Sequence, residues 1–442
     1  MRMTAVRVLA LMLLALAVGG CAKLTLAWAD LDPDGVIAAP PALGVFAGAG
    51  PVASVEGWEK KRAPLRAAFE REVYGKMPEA STTRVLDHKI LDAEAFAGKG
   101  RLEEYRIEAS ATFGGVSVTT QNAFEESFGV DGFFMDVLLP SNADGPVPVI
   151  LIQTFCPRWD TIPDPAVPRP EDSGSCAGGG FGTSVATYVF GRYIATPPVE
   201  MILDAGYAIA TIYPDEIVPD RAETGLAELR RLSEGYDDDE TRWGAVGAWG
   251  WLFSRMVDVL EADPRFDKSA MIAWGHSRYA KAALVAAAFD DRIDGVIAHQ
   301  SGTGGASLNQ RKKGESVREI TDQYPHWFAK AYAGFAGREE EMSVDQHLLL
   351  ALIAPRPILL GNARRDVWSD PGGAFRAALG AGPVYELYGA RGLAQDRLVP
   401  YRPGADIAFW IRPGTHGVVK EDWPAFLKFL DAHFKKPRVA TN

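Results

Sequence analysis

From residue 103 onward the chain alternates short apolar runs with helix-length segments, and this alternation constrains the fold more than any other feature. Residues 105–113 and 133–139 read as early strands. Further strands are expected at 149–152, 207–213, 270–274, 295–299, 357–361 and 407–412, and helices at 243–262, 279–289 and 423–434. Strands that alternate with helices are joined by right-handed crossovers, which produces a mostly parallel sheet covered on both faces. The expected class is α/β, a three-layer α/β/α sandwich. On such a sheet the working side chains sit beyond the carboxyl ends of the strands. The loops after residues 152, 274, 299, 361 and 412 should therefore share one rim.

Residues 56–442 read as a single α/β domain that opens with a helix over 58–74, disturbed in its first half by Pro64. Residues 22–55, rich in Ala, Pro and Gly, read as an arm or tether. Residues 1–21 have the character of an export signal: Arg2 and Arg7 precede an apolar run, 8–18, too short to span a bilayer. That run ends in Val18-Gly19-Gly20-Cys21, which resembles a bacterial lipobox with Cys21 as the lipidated first residue. Ala27-Trp28-Ala29 offers a second exit by ordinary cleavage. Either exit places the protein in the periplasm or on the outer membrane of a bacterium, and the lipobox exit would leave a lipid on Cys21 as its one membrane contact. A monomer is expected.

The balance of 46 Lys and Arg against 57 Asp and Glu gives a formal charge of −11, which argues against a nucleic-acid partner. Cys156 and Cys176 lie in one Gly/Pro-rich segment. An oxidising compartment would let them pair, and two free buried thiols are the alternative.

Residues 275–283 read GHSRYAKAA and follow the apolar run 270–274 directly. Ser277 thus stands where a strand gives way to a helix, the geometry of a nucleophilic serine in the α/β-hydrolase fold. The helix N-terminus there offers N–H groups to a developing oxyanion. The pattern G-x-S-x-G is half met, because Tyr279 replaces its second glycine, and a turn or N-cap serine is the other reading. A serine hydroxyl needs a base. Of seven histidines, His416 is the best placed, in Pro413-Gly414-Thr415-His416-Gly417 after a late strand. Asp366, in the loop after 357–361, is the expected acid that holds the imidazole tautomer, with Asp370 as competitor. Arg278 is placed to meet negative charge on a tetrahedral intermediate, or else to pair on its own helix. Lys281 lies one helical turn beyond Ser277 on the same face.

Together these residues resemble the bacterial glucuronoyl esterases, carbohydrate esterase family 15. The family pattern G-[CH]-S-R-x-G-K is met by Gly275-His276-Ser277-Arg278-Tyr279-Ala280-Lys281. Ser301-Gly302-Thr303-Gly304-Gly305-Ala306, Gly314-Glu315, Asp366-Val367-Trp368-Ser369-Asp370-Pro371, the His416 loop and the early block 69–78 (FEREVYGKMP) are similar to family segments in the same order, so the likeness spans roughly residues 56–434. It implies an α/β-hydrolase fold and a serine esterase without metal or cofactor. The implied substrate is the ester between 4-O-methyl-glucuronic acid of glucuronoxylan and a lignin alcohol. It further implies Ser277 as nucleophile, His416 as base and Arg278 at the oxyanion. Lys281, Glu315 and Trp368 would contact the uronic acid, the first two through sugar hydroxyls and the indole through its flat apolar face.

Two departures stand out. Ala280 replaces a glycine. Many members carry their acid just before S-G-x-G-G, where this chain has Gln300, so the acid is expected to have moved to Asp366, as in some bacterial members. The segment 153–200 is individual and borders the cleft. An acetyl xylan or feruloyl esterase on the same scaffold, or a non-catalytic sugar-binding envelope protein, are the competing expectations.

Overall fold

The computed structural model describes residues 52–121, 132–171, 173, 176 and 191–435. The expected signal, Cys21 and most of the arm lie outside them, as do residues 177–190 of the long loop. Among the described residues no helix is long and apolar enough to cross a membrane.

Ten strands form one sheet: β1 (Ala80–Glu94), β2 (Gly100–Phe113), β3 (Val116–Thr119), β4 (Phe133–Pro140), β5 (Val147–Gln153), β6 (Ala208–Ile212), β7 (Phe266–His276), β8 (Gly295–His299), β9 (Ile358–Ala363) and β10 (Ile407–Arg412). Their order is β1-β2-β4-β6-β5-β7-β8-β9-β10, with β3 beside β2. From β6 to β10 every pair is parallel, whereas β1, β2, β3, β4 and β6 pair antiparallel. The composition follows the topology. All five residues of β6 and of β8 are buried, as expected for strands covered on both faces. The edge strand β1 is mostly exposed and polar, so its sequence carries no apolar alternation to announce it.

Side-chain alternation along a strand feeds two cores. On one face, Val149, Leu151 and Ala273 join residues of α1 (Val55–Phe69), α2 (Ala245–Glu261), α3 (Arg278–Phe289), α4 (Gln346–Ile353) and α5 (Pro371–Leu387). On the other, Ile150, Ile152, Ile272 and Trp274 pack against the short helix Val199–Asp204 and α6 (Asp422–Phe434). The result is the expected three-layer sandwich.

Pro64 does not interrupt α1. It lies on the exposed side, while Trp58, Leu65 and Phe69 are buried and Arg62 and Arg66 both pair with Asp291. Tertiary anchoring of one face outweighs a single missing helix bond. The segment then widens into a π-helical turn, Glu70–Tyr74. This turn carries the Tyr74 hydroxyl beneath the glycine-rich loop after β8, where it donates to Gly304 O at 3.1 Å. The early block of the sequence thus supports the rim from below.

Candidate active site

β7 runs into α3 with Ser277 alone between them. Its backbone sits at φ 55°, ψ −122°, a conformation that costs a non-glycine residue about 1–3 kcal/mol and is usually retained at functional sites. The turn is tied down by the Ser277 N–H, which donates to His299 O at 2.9 Å. Gly275 is needed for closeness: a Cβ there would lie 2.1 Å from Tyr279 O. The position of the pattern's missing second glycine is taken by Tyr279, fully buried against Phe155 and Trp249, where a large side chain has room. The first N–H groups of α3 have no acceptor within the helix. They therefore lie beside the serine with the positive end of the helix dipole.

His416 stands on the loop between β10 and α6. Its Nδ1 is 2.7 Å from Asp366 Oδ2, so Nδ1–H donates to the carboxylate and Nε2 is left as the basic atom. Asp366 is buried in the loop after β9. Burial pushes its pKa up, but the hydrogen bonds from His416 and from the hydroxyl and amide of Ser369 hold it below the ordinary carboxylate range. Asp370 has a different task. It accepts from Gly373 N–H at 2.9 Å and caps α5, as a turn-forming aspartate should. The His416 ring lies 4.6 Å from that of His276. His276 and His299 are both fully buried. Burial lowers the first well below the usual histidine range and the second to about 4, so both remain neutral beneath His416.

Arg278 meets partners on other segments rather than along its helix. Its guanidinium lies between the rings of Phe155 and Trp327, 5.3 Å from each centroid, and pairs with Asp220 Oδ2. The other oxygen of Asp220 accepts from His326 Nε2 at 2.9 Å and Trp327 Nε1 at 2.7 Å. Burial lowers His326 to about 4, with Arg278 adding to the effect, so the imidazole is a neutral donor here. The sequence carried no signal for Asp220.

A model of the fungal glucuronyl esterases matches residues 190–389. The carbohydrate esterase MZ0003 of an unknown prokaryotic organism is 32% identical over 396 residues, 86% of each chain. Among solved structures, a promiscuous CE15 esterase from the marine bacterial metagenome superposes with TM-score 0.75 at 29% identity over 91% of this chain and 99% of that one. The glucuronoyl esterase from Solibacter usitatus gives 0.73 at 32% identity over 89% and 97%. The chain belongs to carbohydrate esterase family 15, the glucuronoyl esterases. Its fold is accordingly that of the α/β-hydrolases, and it is a carboxylic ester hydrolase.

The remaining residues expected from the family 15 resemblance lie close to one another. Trp368 is 48% exposed, and its Nε1 donates to Glu315 Oε1 at 3.0 Å. Glu315 is buried, which raises its pKa, against the pull of Lys281 and Lys312. Lys281 is buried too. Its ammonium donates to Ser301 O and, at 2.7 Å, to Thr303 O. Desolvation lowers its pKa to about 8, with Glu315 opposing. Lys281 therefore holds the glycine-rich loop while lying near Glu315. Gln300, at the place where many family members keep their acid, bonds the backbone of the His416 loop instead. Cys156 and Cys176 form a disulfide with Cα atoms 5.6 Å apart, which ties the start of the 153–200 segment. Among the described residues no group of three His, Cys, Asp or Glu side chains is placed to hold a metal ion.

Proposed function

We propose that this family 15 enzyme hydrolyses the ester between 4-O-methyl-glucuronic acid of glucuronoxylan and a lignin alcohol, with Ser277, His416 and Asp366 as its triad. His416 Nε2 takes the Ser277 proton as Oγ attacks the uronate carbonyl. The oxyanion is met by the N–H groups at the start of α3 and by the Arg278 charge. His416 then returns the proton to the departing alcohol, and water repeats the sequence on the acyl-enzyme. The observation that carries this reading is the 2.7 Å Asp366–His416 bond on the same rim as a strained strand-to-helix serine. It comes in a chain whose family pattern is retained from Gly275 to Lys281 except at Ala280.

Substrate choice rests on Glu315, Lys281 and Trp368. Buried charge of both signs beside an exposed indole suits a pyranose, whose hydroxyls accept and donate while its C–H face is apolar. The test is the ratio of kcat/KM values for alkyl esters of 4-O-methyl-glucuronate against acetylated xylan and methyl ferulate. A preference for uronate esters of a hundredfold or more is expected. Faster turnover of acetyl or feruloyl esters would move the protein to another esterase specificity. The export pattern of residues 1–21, with Cys21 as lipid carrier, joins this reading and is supported by the Cys156–Cys176 disulfide, a bond of oxidising compartments. Globomycin-sensitive processing of the full chain tests the anchor.

A further inference from the structure

His416 stands on a loop that has little stiffness of its own. Pro413-Gly414-Thr415-His416-Gly417 forms no helix or strand, and both glycines have positive φ, 111° and 149°, a region glycine enters freely. Yet general-base catalysis needs the imidazole fixed to within a fraction of an ångström. Two buried side chains supply what the loop lacks.

Arg412, at the end of β10, folds back under the loop. Its Nη1 donates to Pro413 O at 3.1 Å and Thr415 O at 3.3 Å, and its Nη2 to Gly417 O at 2.7 Å. Its Nε is held by both oxygens of Asp422, at 2.9 and 3.0 Å, and Asp422 also accepts from Trp410 Nε1 and Val419 N–H. Gly414 makes room for this arrangement, since a Cβ there would lie 2.7 Å from Arg412 Nη1. Gln300 acts from the other side. Its Oε1 accepts from Gly417 N–H at 2.9 Å, and its Nε2 donates to Thr415 O at 3.3 Å. It thus grips the residues on either side of His416. Gln300 is itself held at φ 53° by its N–H, which donates to Gly361 O at 2.7 Å.

We propose that Gln300 and Arg412 are positioning residues for His416, a two-sided clamp on the backbone that carries the base. The amide at position 300 is chemically suited to this because one end accepts and the other donates, whereas a carboxylate only accepts. The glutamine is then not the blank left by a displaced acid but a group with its own work, which became open to it because Asp366 already occupies His416 Nδ1.

The proposal rests on the esterase mechanism above, and its test separates the two. Gln300→Met keeps the volume and removes both bonds, while Gln300→Glu keeps the acceptor alone. Turnover of benzyl glucuronate should fall at least about tenfold in Gln300→Met and by less in Gln300→Glu, with KM within twofold of wild type in both. The rate of Ser277 labelling by a small fluorophosphonate, which needs the base but no sugar, should fall in the same order. A loss of uronate turnover with unchanged labelling counts against the clamp. So does a change confined to KM, or wild-type rates in Gln300→Met. Wild-type labelling without uronate turnover would instead count against the proposed substrate, and the labelling rates of the variants still decide the clamp. Arg412→Ala is the weaker probe, because it strands the buried Asp422 charge and endangers folding.

Discussion

Replacing Asp366 by Asn isolates what its charge does, since the amide can still accept from His416 Nδ1–H. The hydrogen bond is 2.7 Å long and the carboxylate is buried. When His416 takes the serine proton, an imidazolium faces that carboxylate with charge centres about 4 Å apart. At an effective dielectric of about 20 this attraction is worth about 4 kcal/mol, or about a thousandfold in rate. The loss belongs to the transition state, so kcat should fall by about that factor while KM stays near wild type. Steady-state hydrolysis of benzyl glucuronate from pH 5 to 9, with circular dichroism as a control for folding, measures it. A fall of less than tenfold would refute the reasoning. So would a greater loss in Gln300→Ala than in Asp366→Ala, because the acid would then lie at position 300.

Arg278→Ala should lower kcat for the same substrate more than it raises KM; an effect on KM alone would make the guanidinium a substrate clamp instead. Trp368→Ala should raise KM at least about fivefold with little change in kcat, because the indole meets the sugar equally in ground and transition states, and an unchanged KM would remove it from the pocket. Glu216 gives a pH prediction. Burial raises its pKa from 4.5 to about 8, against a bond from Phe134 N–H, so between those values the folded protein binds the extra proton. Its contribution to stability is fully present below about pH 4.5 and is lost as pH rises through about 8. Glu216→Gln should therefore gain in Tm relative to wild type from pH 5 to 8, and a difference that does not vary with pH would contradict it.

What the sequence made legible was the parallel half of the sheet and the residues at its rim. Strands such as β6, β7 and β8 are buried on both faces, so they appear as apolar runs, and the reactive loops follow them directly. The antiparallel edge was harder to see. β1 is polar and exposed along most of its length, and its position is set by pairing with β2 rather than by burial. Helix α5 was missed because its glycines, Gly372, Gly373, Gly380 and Gly382, together with Pro383, read as loop. It is stabilised by the Asp370 cap and by burial of Phe375, Val384 and Tyr385. In the site, Ser277, His416 and Asp366 could be named from their places after strands. Asp220 and Arg412 could not, because each acts through contacts made across the fold: Asp220 reaches Arg278 and Trp327 from a distant segment, and Arg412 turns back on its own loop. Gln300 was visible as a departure from the family pattern, but its bonds to the Thr415 and Gly417 backbone are made across the fold.

The central claim, that Ser277 attacks a uronate ester, is tested most directly by hydrolysis of benzyl glucuronate and of a simple aryl acetate by wild type and Ser277→Ala. The account predicts preferential cleavage of the glucuronate by the wild type, abolished in the variant. Equal glucuronate hydrolysis by both proteins would contradict the assignment of the nucleophile, and cleavage of the acetate alone would contradict the substrate.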